Sequence, residues 1–294
     1  MYFKQLCCGA ILATCVSSAA FAISVKEAYP DQYSLETPEW QAVLDTIDLK
    51  QGVQNLPRVT LDVPDDYYFV NSKDAETILH DIWGNPPGDF VLGMLFHKDG
   101  YFIENWGVEV FYEDTGYVSD SDAADMDYDA LLANLRSDMQ SENKWREQNG
   151  YERIELLGWA EPPHYEAEEH KLYWAKELAF EGYETNVLNY NIRVLGREGV
   201  LVLNFIADIE NLAEVKSAAP DVLDMPSFTP GNTYADFNPS TDAVAAYGIG
   251  GLIAGKAAAK TGLLAAGVLL LKKFWFVLLI PLIGLKNVIF GRRA

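Results

Sequence analysis

The sequence predicts an α+β domain around a mainly antiparallel sheet with a few packed helices, followed by a C-terminal transmembrane helical tail. Three observations carry that expectation. Apolar residues alternate at period two in neighbouring groups of strands, and single stretches of helical periodicity separate those groups. Residues 243–294 then contain no Asp or Glu, while apolar blocks alternate there with lysines and arginines.

The N-terminus reads Met1 to Lys4, an apolar run from Leu6 to Val16, and a small-residue stretch ending at Ala22. This pattern predicts a signal peptide over residues 1–22, cleaved before Ile23, because the apolar run is too short to span a bilayer. Cys7, Cys8 and Cys15 all fall inside it. The processed chain would therefore hold no disulfide, thiolate metal site or cysteine nucleophile, and a conventional core must stabilise it.

Along the body, residues 23–242, Thr37-Pro38 opens a short helix as N-cap and first-turn proline. Arg58–Val63 and Tyr67–Val70 alternate around the Pro64–Asp66 turn and read as a hairpin-like pair. Asp74 to Trp83 places Ala75, Ile78, Leu79 and Ile82 on one helical face, stopped at Gly84. Strands follow over Phe90–Phe96 and Trp106–Tyr112. A helix then runs from Asp127 to about Gln148, lined by Ala130, Leu131, Leu135 and Met139, with Asn149-Gly150 as its C-cap. The second half is mostly strand, over Tyr151–Trp159, Lys171–Phe180, Val187–Leu195 and Val200–Ala207, the last two joined by the tight Gly196–Gly199 turn. Asn211 to Met225 predicts a last helix, and Phe228–Asp242 an irregular connector acting as a stalk to the tail.

Charge divides the chain as clearly as hydropathy does. All 43 acidic residues but only 14 of the 22 basic ones lie in the body, for a net charge of −29 there against +7 in the tail. Such a surface repels phosphate backbones, so nucleic acid is excluded as a partner.

Several motifs bear on chemistry. The sequence has no Gly-x-Ser-x-Gly, no His-Glu-x-x-His, no phosphate-binding glycine loop and no dinucleotide fingerprint. The run Asp120 to Asp129 suggests a calcium loop but lacks the central glycine, and Leu131 stands where a bidentate Glu is needed, so a helix cap by Asp125 or Asp127 is the better reading. The segment from Gly158 to Glu177 is the most individual. Its His164, His170 and Glu166 are candidate metal ligands, weighed against a rigid polar loop between strands shaped by Pro162-Pro163. No cofactor is otherwise expected. Most of the body's tryptophans are expected to be core.

Gly158-Trp159, Pro162-Pro163, Tyr165, His170–Lys176, Leu188–Tyr190, Leu195–Arg197 and Gly199–Leu201 resemble the bacterial membrane-anchored proteins grouped as domain of unknown function 2167. The resemblance extends to Gly116–Val118 and to the lysine-broken tail, and it implies location and a shared fold rather than a reaction.

In the tail, Gly251 and Gly255 have the spacing that lets membrane helices approach closely, while Lys272 and Lys273 reach for an interface. A single span within 261–290, with Ala243–Lys260 entering or lying on the membrane, puts Arg292 and Arg293 in the cytoplasm and the body outside it. The expected protein is thus held in the bacterial cell membrane, the inner one in a Gram-negative cell, with the lipid bilayer as partner through 243–294 and an envelope protein or a second copy as a further partner. A non-enzymatic interaction or envelope-maintenance role fits that arrangement. The alternative is a metal-dependent enzyme or metal-binding module on the His164–His170 loop.

Overall fold

A computed structural model describes residues 21–254 apart from 87, 89, 90, 103 and 104. Residues 1–20 and 255–294, which carry most of the expected signal peptide and the calls on Gly255, Lys272, Lys273, Arg292 and Arg293, lie outside the described residues. The chain is a sheet-rich α+β protein with few helices.

Strand β1 (Phe21–Ser24) leads into three short helices, α1 (Val25–Ala28), α2 (Pro30–Leu35) and α3 (Pro38–Leu44). Thr37 caps α3 by accepting from the Trp40 amide, as its sequence position implies. Strands β2 (Asp48–Leu56), β3 (Val59–Val63) and β4 (Tyr67–Asn71) follow, then α4 (Ser72–Glu76), which continues as a π-helical turn over Thr77–Ile82. After β5 (Gly93–His97) and β6 (Gly107–Glu113), the 21-residue helix α5 (Tyr128–Gln148) precedes four long strands. These are β7 (Ile154–Glu166), β8 (Lys171–Phe180), β9 (Val187–Leu195) and β10 (Val200–Asp208). Helix α6 (Leu212–Asp224), the short β11 (Pro226–Phe228) and helix α7 (Ile249–Ala254) complete the order.

The strands form one sheet in the order β11-β3-β2-β4-β5-β6-β10-β9-β8-β7, with β1 on β2, and all the pairings between these strands are antiparallel. One expectation is corrected here. Val59–Val63 and Tyr67–Asn71 are not hairpin partners, because β2 lies between them and pairs with both. Gly52 makes this possible: at φ +74° it adopts a conformation that side chains disfavour and turns β2 from one neighbour to the other.

Period-two alternation gives the sheet two distinct faces. On one, Phe69, Val108, Tyr190, Leu203 and Phe205 meet Val215, Ala219 and Val222 of α6. The other carries two apolar clusters. Tyr68, Val70, Met94 and Phe96 are covered by the helices from α1 to α4, and Leu172, Trp174, Leu195 and Val202 by α5 and α7. Each fully buried aliphatic or aromatic side chain contributes about 1.5–3 kcal/mol.

Strand β7 ends the sheet, and its free edge is covered by side chains of α5. Asn143 donates Nδ2 to the Ile154 carbonyl at 2.7 Å and accepts from the Ile154 amide at 2.8 Å, as a neighbouring strand would. Arg136 donates to the Leu156 and Leu157 carbonyls, and Arg146 Nε to Glu152 at 2.6 Å. Pro162-Pro163, read from sequence as part of a connection, is instead inside β7 at a register shift between Glu161 and His164. An edge strand tolerates it because the missing N–H is not needed for the ladder.

The junction with the tail also departs from expectation. The 229–242 connector is irregular but lies against the body: Tyr117 stacks on Phe237 at 3.7 Å and on Tyr234 at 4.6 Å, and Arg197 grips Asp242 through two bonds of 2.7 and 2.9 Å. Beyond it, Val244 bridges to Tyr117, and Ile249, Leu252 and Ile253 of α7 are buried against the sheet. Gly251, expected to face a membrane helix, sits so close to Tyr247 that a Cβ there would meet its ring at 2.7 Å. The start of the apolar segment is thus core, since body side chains cover its apolar face. No helix among the described residues is long and apolar enough to cross a membrane.

Candidate functional site

Hairpin β7–β8 separates the two histidines singled out from sequence. His164 points to the α6 side, stacked on Tyr173 at 4.7 Å and 3.9 Å from both Glu161 and Glu166. Glu161 also pairs with Lys216 of α6 at 2.8 Å. His170 occupies the turn at φ +53° and belongs to the opposite side, 3.6 Å from Asp120 and 4.1 Å from the Tyr234 ring. The Tyr165 hydroxyl lies between, donating to Asp120 at 2.8 Å and standing 3.2 Å from His170 Nδ1. His164 and Glu166 share one side of the hairpin while His170 is on the other, so the three do not converge. Among the described residues no group of three or more His, Cys, Asp or Glu is placed to hold a metal.

The acidic run after Ser119 is dispersed in the same way. Asp120 serves Tyr165, Asp122 accepts from the amides of Ile249 and Gly250, and Asp127 caps α5 by accepting from Asp129 and Ala130. Three carboxylates thus fix three separate elements rather than one ion, and the helix cap is the role the sequence implied for Asp127.

A different constellation stands out once the register is known. On the face covered by α5 and α7, polar side chains cross four adjacent strands in one row, since Glu109 pairs with Asn204, Asn204 with Asn191, and Asn191 with Trp174. Asn204 donates to Glu109 at 2.5 Å and accepts from Asn189 at 2.7 Å, while Asn191 donates to Asn189 at 2.8 Å. Lys176, opposite Asn189, and Arg193, two residues from Asn191, extend the row. The Arg193 guanidinium lies 4.8 Å from the centre of the Trp174 ring, a cation–π contact.

Electrostatics in this row are perturbed by poor solvation. Burial pushes the Lys176 ammonium down to about 8, with Arg193 acting in the same direction and Glu142 opposing. Arg193 is pushed down to about 10 by burial, against Glu113, Glu109 and Tyr247, and remains charged at neutral pH. The Glu109 carboxyl is raised by burial, against donation from Asn204 and the charge of Arg193. Groups perturbed in this way are found at functional sites and in structural ion-pair networks alike. Beside Trp174, Lys176 and Arg193 lies an open cavity of about 230 Å³, with Tyr247 and the end of α7 along its wall.

Sequence reasoning did not single out this site. Its one visible signal is Asn189-x-Asn191-x-Arg193, a polar phase in a strand whose other phase is Leu188, Tyr190 and Ile192. Lys176 and Trp174 fell within the segment recognised as individual, but were not given a role.

The fold and this row define an antiparallel α+β protein with a half-buried polar strip between apolar clusters. The chain belongs to the family described as protein of unknown function DUF2167, whose profile matches residues 48–283, from the first residue of β2 to beyond the described chain. This bears out the resemblance drawn from the motifs. No curated protein matches the chain. Among solved structures it is similar to the solution structure of cyanobacterial PsbP (CyanoP) from Synechocystis sp. PCC 6803, at a TM-score of 0.34 and 12% identity, over 75% of this chain and 98% of that one. A likeness at that level carries no argument about function.

Proposed function

We propose that this chain is a membrane-tethered, extracytoplasmic protein of the bacterial envelope that works by binding a partner rather than by a reaction. The segregation of charge carries this reading: every acidic residue falls between residues 23 and 242, and the last 52 residues are apolar blocks separated only by basic ones. An apolar segment with lysines at its breaks and two terminal arginines is suited to a bilayer with its end in the cytoplasm. The acidic body is repelled by anionic head groups and stays exposed to the aqueous phase outside. Ile249, Leu252 and Ile253 pack on the body, and the proposed span therefore lies beyond them, within 261–290. Cleavage before Ile23 would leave Ile23 and Ser24 paired with Leu49 and Asp48 in β1.

The test is topology. A reporter active only in the cytoplasm, fused after Ala294, is expected to be on, and protease added to spheroplasts should digest the body while leaving a short C-terminal fragment in the membrane. Recovery of uncleaved chain in the soluble cytoplasmic fraction would overturn the proposal. A silent cytoplasmic reporter with an active external one would replace the single span by a hairpin.

A further inference from the structure

A carboxylate drawn out of water is costly to keep unless donors or an opposite charge meet it, and its two oxygens together can accept about four hydrogen bonds. Glu109, at one end of the polar row, accepts only one. Asn204 donates to its Oε2, and among the described residues no ion pair or second donor reaches it. Arg193 acts on it from two strands away, yet burial still raises the carboxyl.

Glu109 lies on an open cavity of about 590 Å³ in the gap between the two helical covers of this face, with the π-helical turn on one side and Arg146 of α5 on the other. In that turn Trp83 donates to the Ile78 carbonyl, five residues back, at 2.8 Å, and such widened turns recur at functional sites. The turn contributes Leu79 and His80 to the wall. His80 Nδ1 stands 2.9 Å from the Asn85 carbonyl, which can only accept, so Nδ1 carries the hydrogen and the neutral ring keeps Nε2 as an acceptor.

Charge selects what could enter. Around the cavity and the row, Glu76, Glu109, Glu113 and Glu142 face Arg146, Lys176 and Arg193, four carboxylates against three cations. Those cations are already engaged. Arg146 donates to Glu152 and lies over Tyr151 and Phe180, Arg193 lies over Trp174, and Lys176 is offset by Glu142. The field of a body at −29 draws cations toward it. A neutral ligand would leave Glu109 unmatched. A bare metal ion would lack ligands, since among the described residues no group of three or more His, Cys, Asp or Glu is placed to hold one. Leu79, Val91 and Phe111 instead suit an apolar body.

We infer that this cavity binds a small organic cation, an ammonium group on a short apolar body, held by the Glu109 carboxylate with His80 Nε2 as a second acceptor. A charge-assisted bond to Glu109 supplies the donor that the carboxylate lacks, and the face of the Phe111 ring favours a cation over a neutral group. This binding does not require the tether.

The experiment uses the full chain, purified in detergent with its four histidines labelled at the ring nitrogens. Butylammonium, butanol and butyrate, alike in size and different in charge, are titrated separately. The expected result is a saturable shift of one histidine resonance, the one missing from His80→Gln, with butylammonium alone. Glu109→Gln keeps an acceptor for Asn204 but loses the charge, and should weaken the titration by about tenfold or more, the usual effect of losing a bond to a charged group. Glu76→Gln, at the exposed rim, should weaken it only about twofold. Should Glu109→Gln fail to fold, the comparison of the three probes on the unaltered chain still decides. No saturable shift with butylammonium would overturn the inference, as would equal binding of butanol or butyrate, or wild-type affinity in a folded Glu109→Gln.

Discussion

Lys176 sits where an ammonium is poorly solvated and next to another cation, so the folded chain holds its proton less tightly than the unfolded chain does. The sign of the pH dependence follows. The unfavourable contribution is complete below the folded value of about 8 and disappears as pH rises toward the unfolded value of roughly 10.4. Lys176→Met is therefore expected to raise the Tm by several degrees at pH 7, each pKa unit being worth about 1.4 kcal/mol. The advantage should shrink across the alkaline window, and calorimetry of both chains checks it. A difference that persists undiminished above about pH 10.5 would show that side-chain volume, not charge, is responsible. The alternation at Asn189, Asn191 and Arg193 is legible in the sequence, but its meaning is not. Glu109, Asn204 and Lys176 join it from three other strands, and only the pairing register places them in one row.

Helix α5 shows what periodicity can and cannot reveal about an element. Its bounds and C-cap follow from Asp127, Gln148 and Gly150, the last at φ +81°, and Leu131, Leu135 and Met139 do face the body. Ala130, placed on that stripe from sequence, is exposed, and the inward residues near the C-terminal end are Asn143 and Arg146. They were unreadable because their purpose lies in the partner, a strand edge whose backbone groups need satisfying. Replacing Asn143 by Leu removes both bonds to Ile154 and leaves a buried amide and carbonyl unpaired. A loss of about 2–4 kcal/mol is expected, from roughly 1–3 for each unsatisfied group less partial relaxation. Denaturant unfolding should show a lower midpoint with an unchanged slope; a midpoint shift under about 0.5 kcal/mol equivalent would mean water serves the edge as well as Asn143 does. Strand β2 was missed for the opposite reason. Asp48–Leu56 is polar at both phases and is interrupted by Gly52, so its place between two better strands comes from pairing, not from its own pattern.

For the whole molecule, the decisive boundary is where the body ends. Hydropathy alone sets it at Asp242, with few contacts crossing and a truncated domain within about 1 kcal/mol of the intact one. The packed α7 changes that expectation. A chain ending after Asp242 uncovers Leu172, Trp174 and Val202 and loses Ile249, Leu252 and Ile253, which at about 1.5–3 kcal/mol for each buried aliphatic side chain amounts to several kcal/mol. Residues 23–254 should therefore unfold at a distinctly higher temperature than residues 23–242, and the comparison is a single pair of thermal melts. Equal melting temperatures would show that α7 is not part of the cooperative unit. The sequence could not separate these cases, because a helix buried against a sheet and one entering a bilayer present the same apolar residues.

The clip between Asp122 and the start of α7 gives the molecule a mechanical order of failure. Any tension applied through the C-terminal segment reaches the body first at a six-residue helix held by one carboxylate and three apolar side chains, and only afterwards at the doubly bonded Arg197–Asp242 pair and the stacked ring of Phe237. The strand ladders behind them, with many bonds to shear at once, would yield last. Stretching the chain would thus uncover the space over Trp174 while the sheet stayed intact, so the same short helix is both a latch and a fuse.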